Sequence, residues 1–332
     1  MLAHKTLELG APATGCGFSG LNFVASAGDG RLHFLAADGE QSHVQVHDGA
    51  ILALATDERT NTVFSAGDDG RVVKLGDEGD PETIHDGRKW VDSIALSQRG
   101  DVAWSAGKAI FLLRKGSVDP VQIAAPSSVA NLAFSHDGKL LGAAVYGGAL
   151  IISVSGSADP RMLEWQGSHK SIGFSVDGRF CVTSMLENAL HVWRLDKPED
   201  HHGKMGGYHS RPSSFAWTAD GRFMATAGAD VLVLWPFTGA KGPLGAPAAV
   251  FQNTAKPEVI CSVASRPQSQ HIALGYKDGS LFIFDRKRQN FTPIVEPGEA
   301  GPVAKIAFNQ KGNLLGFIRE DGEAGVIDVR AL

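Results

Sequence analysis

Eight times along this 332-residue chain a short apolar strand motif returns at nearly constant spacing, and no other feature restricts the fold as much. The motif reads LHFL, VVKL, IFLL, LIIS, LHVW, LVLW, LFIF and VIDV, with copies ending at Leu35, Leu75, Leu113, Ser153, Trp193, Trp235, Phe284 and Val329. The spacings are 40, 38, 40, 40, 42, 49 and 45 residues. Around two copies the match extends further, SVDGRFCVTSMLENALHVW at 175–193 against TADGRFMATAGADVLVLW at 218–235. Each stretch follows an apolar strand, turns at DGR, runs through a second strand, turns again on polar residues and ends in the third strand. Alternation of period two dominates, and no stretch carries helical periodicity.

A period of ~40–45 residues with this grammar predicts small four-stranded sheets that cannot bury both faces alone and must stack on one another in a ring. The expected fold is an all-β, eight-bladed β-propeller forming one domain over residues 1–332. A seven-bladed ring is the alternative, since repeats one and seven are the least regular. The last repeat ends with its third strand at 325–330, while HKTLELG at 4–10 alternates and belongs to no repeat. That segment is expected to complete the last blade and close the ring. The 49-residue spacing comes from a Pro- and Gly-rich insertion at 236–259, whose piece AVFQ, 249–252, is expected to be the outer strand of blade six.

These repeats resemble the WD40 family over essentially the whole chain. The family's hallmark is a hydrogen-bonded tetrad: His before the first strand, Ser or Thr in the second, Asp in the following turn, Trp in the third. His209, Thr226, Asp230 and Trp235 match it, and His47, Ser65 and Asp69 match it with Leu75 at the Trp position. Asp29, Asp278 and Asp321 fill the turn position in three other repeats, and repeat five has Glu187. The Trp-Asp dipeptide itself is absent, since Trp193 precedes Arg194 and Trp235 precedes Pro236. The resemblance implies that these residues are structural and that the chain is a stand-alone, non-catalytic interaction scaffold.

Chemistry in the sequence reads the same way. His209, Thr226 and Asp230 imitate a hydrolase triad, but the arrangement recurs in part elsewhere and its fourth member is an indole donor, which suits a strand-tying network. The Gly-rich pieces SAGDG, SAGDDG and TAGAD open no helix, so they are turns and not phosphate cradles. The acidic pairs Asp68–Asp69 and Glu320–Asp321 fall in such turns. His201, His202 and His209 are the best metal candidates, yet neighbouring His residues on a strand point to opposite faces. An exposed outer strand of blade five accounts for the pair. Cys16, Cys181 and Cys261 stand singly in apolar runs and are expected to be buried thiols.

A net charge of −5 without basic runs gives no pull toward nucleic acid or an anionic membrane. The opening residues lack a leader pattern and no apolar run is long enough to span a bilayer, so a cytoplasmic location is expected. No cofactor is expected, and the partner is a protein or peptide. The register places Arg88, Trp90, Lys108, Tyr146, Met185, Arg211, Tyr276, Lys277 and Arg319 on one rim, and the aromatic, Met and Arg side chains among them are types enriched at interfaces. The competing reading is a small-ligand or metal protein, possibly an enzyme, using the central channel or the His201/His202 loop.

Overall fold

In the computed structural model, which describes residues 4–36, 38–76 and 80–332, every regular element is a strand. Consecutive strands pair antiparallel, as short polar turns between alternating segments require. Within a sheet, the second strand is the most buried. Thr62–Gly67 and Phe180–Met185 have no exposed residue, because both their faces meet a neighbouring sheet. The fourth strand, such as Gln41–Gln45 or Val121–Ala124, is mostly exposed. Inner strands contact one another in sequence around the molecule, and the first sheet meets the last through Ala13–Ser19 and Val303–Phe308. The result is a closed β-propeller.

The expected closure is present. His4–Glu8 pairs antiparallel with Glu323–Asp328, from His4 opposite Ile327 to Glu8 opposite Glu323. Leu7 and Leu9 then pack with Phe18 and Phe23 of the first sheet and Ile318 and Val326 of the last. Gly316 is required at this junction, because a β-carbon there would stand 2.2 Å from the Phe23 ring. The 236–259 insertion also behaves as expected: Ala249–Phe251 pairs with Leu232–Leu234 as an outer strand.

The blade count is corrected. The described strands form seven sheets, six with four strands and one with six, so the ring has seven hydrogen-bonded blades and not eight. The fusion lies at repeats four and five, whose periodicity is regular, and not at repeats one and seven. Leu140–Ser153 and Arg161–Phe174 each run 14 residues and pair with each other, which joins the two repeats in one sheet. Gly147 and Gly148, both at positive φ, bend the first of these strands beside a register shift at Tyr146. The two halves of the sheet share a core of Ile151, Leu163, Phe174 and Trp193. Each repeat thereby keeps its own dry face while the hydrogen bonding runs on.

Candidate functional site

The two ends of the ring follow from strand direction. Turns between second and third strands, and loops leading into each first strand, lie on one rim; the remaining turns lie on the other. On the first rim the second sheet contains a complete network. His47 Nδ1 lies 3.0 Å from Asp69 Oδ1, and the Ser65 hydroxyl lies 2.9 Å from His47 Nε2. With Nδ1–H donated to the carboxylate, Nε2 accepts from Ser65. The Arg71 backbone N–H also donates to Asp69, at 3.0 Å, and its guanidinium at 2.9 Å. Burial alone would raise the Asp69 carboxyl, but the Arg71 backbone N–H and the His47 ring outweigh it and hold it down at about 2.

The fifth sheet departs from the expected tetrad. His209 and Asp230 are exposed and join no such network. Tyr208 takes the place of the histidine: Trp235 Nε1 donates to Tyr208 Oη at 2.7 Å, and Tyr208 Oη lies 2.7 Å from Thr226 Oγ1. Thr226 is positioned to pass the chain on to Val233 O at 3.5 Å. Both residues lie in the loop after His202–Met205, and that loop buries Tyr208 while leaving His209 exposed. The triad imitation therefore does not exist in space.

In repeat five the sequence reading missed His169. Its Nε2 lies 3.0 Å from Trp165 O and its Nδ1 2.7 Å from Thr183 Oγ1. Its signal was a His on Arg161–Phe174, 14 residues before Thr183 on the next strand. Burial lowers its pKa. His201 and His202 do not form the exposed pair expected of an outer strand; both are half-buried. His202 Nδ1 lies 3.2 Å from Nε2 of buried His191, which stacks on Trp165 at 4.2 Å between ring centroids. Burial first, then His202 and His169, lowers His191 to about 3. Among the described residues no three His, Cys, Asp or Glu side chains converge in a metal-binding arrangement. Cys16 and Cys181 are buried and Cys261 half-buried, and burial pushes Cys16 and Cys261 up to about 11.

The nine rim residues divide. Met185, Tyr276 and Arg319 are buried, which corrects their assignment to a docking surface. All three are the last residues of second strands, Phe180–Met185, His271–Tyr276 and Leu314–Arg319, and their side chains turn into the ring. Tyr276 Oη accepts from Asn253 Nδ2 at 3.2 Å, while the Arg319 guanidinium donates to Gly279 O and Glu296 O at 2.9 and 3.0 Å. Arg88, Trp90, Lys108, Tyr146, Arg211 and Lys277 are exposed, Trp90 at 68% and Tyr146 at 66%.

Four of these six fall within one stretch of rim built by the third sheet and its neighbour. Lys89, which the sequence reading passed over, lies across Gly107, next to Lys108. The Ala125 and Val129 N–H groups donate to Lys108 O and Gly107 O at 2.8 and 2.9 Å. The Tyr146 N–H donates to Ser127 Oγ at 2.9 Å. The Trp90 loop is tied to the second sheet, with the Val91 N–H donating to Gly67 O at 3.0 Å, and the Lys89 stem bridges from it to the hydrogen-bonded loops that lead to Tyr146. Arg211 and Lys277 stand further round the ring.

No family model and no curated protein matches this chain. Solved structures do, at the level of fold. A computationally designed protein, Ika8, is 16% identical and superposes with a TM-score of 0.77, covering 96% of each chain. A chain of the mitotic checkpoint complex is also 16% identical, with a TM-score of 0.66, over 81% of this chain and 88% of that one. Both are similar in fold to this chain. Among the described residues no helix is long and apolar enough to cross a membrane.

Proposed function

We propose that this propeller is a non-catalytic docking platform for another protein or peptide, held on the rim stretch between Trp90 and Tyr146. The observation that carries this reading is the exposure of two large aromatic side chains on loops that are each held to the sheets by hydrogen bonds, Val91 N–H to Gly67 O and Tyr146 N–H to Ser127 Oγ. Trp, Tyr and Arg side chains are the usual anchors of an interface, and loops already ordered lose little entropy on binding. The resemblance to WD40 repeats and the fold shared with a chain of a protein complex support the same reading.

The test replaces Trp90 and Tyr146 together with Ala and compares co-purifying proteins by mass spectrometry. Anchors of this kind cost about 2 kcal/mol or more when truncated, so partners should be lost while circular dichroism stays unchanged. Retention of the same partners by the folded double variant would overturn this rim. Tyr276→Ala serves as the contrast: it removes a buried side chain and should lower stability.

A further inference from the structure

On the opposite rim, the second and third sheets part to leave a cleft of about 850 Å³. The cause is local. Opposite Arg71–Leu75, the outer strand Glu82–Asp86 skips register, with Val72 facing His85 and Val73 facing Thr83, so that Ile84 is bulged. On one side of the bulge the His85 ring packs tilted against Phe111, at 4.7 Å between centroids, and bridges the two sheets. On the other side they separate over a floor of Phe64, Ile84, Leu96, Val102 and Leu113.

Charge around this floor is one-sided. Of the cations lining it, Arg59 is held by Asp57 at 2.9 Å and Lys74 by Glu82 at 3.1 Å. Arg99, Arg114 and Lys115 form the wall from the third sheet and have no carboxylate partner among the described residues. Arg99 and Arg114 are instead anchored through Nε to Asp137 O and Val154 O, both at 2.7 Å, and both line the cleft with Lys115. Lys115 lies across Gly100. The lip opposite is a sheet edge: Glu82–Asp86 has a ladder partner on one side only. An apolar floor, a fixed cationic wall and an unpaired strand edge are together the complement of an extended chain.

We infer that this cleft is a second docking site, and that it takes a short extended peptide with carboxylate side chains beside apolar ones. The apolar side chains enter the floor, the carboxylates meet Arg99, Arg114 and Lys115, and the backbone runs along Glu82–Asp86. The site is separate from the Trp90–Tyr146 rim and stands or falls without it.

The test pans random short peptides displayed on phage against the full chain. Enriched peptides should carry Asp or Glu flanking Leu, Ile or Phe, and their affinity should fall as salt rises. Lys115→Glu, a change at an exposed side chain, should weaken them about tenfold, equivalent to 1.4 kcal/mol, and Arg99→Glu with it further. The Trp90/Tyr146 double variant should bind them normally, which separates this outcome from failure of the other rim. Absence of enrichment, enriched peptides without acidic excess, undiminished binding by folded Lys115→Glu, or equal displacement by dodecanoate would each overturn the proposal, the last by assigning the cleft to a simple amphipathic acid.

Discussion

At the scale of single residues, the molecule turns on which of two neighbours faces inward. Tyr208, not His209, links Thr226 to Trp235. Tyr208→Phe should therefore cost about 1–2 kcal/mol, since it removes the acceptor of the half-buried Trp235 indole N–H and one of the partners of Thr226, whereas His209→Ala, at an exposed position, should stay within about 0.5 kcal/mol. Urea unfolding of the two variants distinguishes them; equal losses would refute the inward role of Tyr208. This exchange also marks the limit of what the sequence carried. Residue types around His47, Ser65 and Asp69 matched a known pattern and the geometry followed it. Near 208–209 both a Tyr and a His were present, in a loop where no strand alternation says which one faces inward, so pattern alone chose the wrong one. Met185, Tyr276 and Arg319 share that cause, since counting along aligned repeats locates a strand end but not the side on which its last residue emerges.

At the scale of elements, the strand His4–Glu8 shows what alternation can reveal. It belonged to no repeat, it alternated, and the last repeat lacked an outer strand, so its pairing was legible. Leu7 secures it by packing with Leu9, Phe18 and Val326. Leu7→Ala should cost about 2–5 kcal/mol, the usual loss for a buried leucine, and should raise hydrogen exchange in Glu323–Asp328 before other strands. Uniform loss of protection across all sheets would instead show that closure is not a local event. The fusion of repeats four and five was not legible. Periodicity counts repeats, while sheet number depends on whether hydrogen bonding stops between them, and at Leu140–Ser153 and Arg161–Phe174 it does not. Nor was the bulge at Ile84, which arises from two sheets fitting imperfectly and has no mark in either one's pattern.

At the scale of the whole molecule, buried imidazoles set the response to acid. Burial lowers His33, His85, His169, His191 and His271, His191 to about 3. A histidine with a folded pKa below its unfolded value of about 6.5 binds fewer protons in the native state, so its contribution is complete above that pH and drains away as pH falls toward the folded value. Stability should accordingly decline from about pH 6.5 to 5, before most carboxylates titrate. His191→Phe, which keeps a ring against Trp165, should make that slope shallower. A slope identical to that of the native chain would exclude His191 as a contributor.

The pairing of His4 with Ile327 also has a temporal side. During synthesis His4–Glu8 emerges from the ribosome long before the strand it must join, so the circle cannot shut until Glu323–Asp328 has been made. Until then the leading sheet waits with an uncovered flank, and a chaperone that shields nascent apolar surface would have its longest task at Phe18 and Phe23.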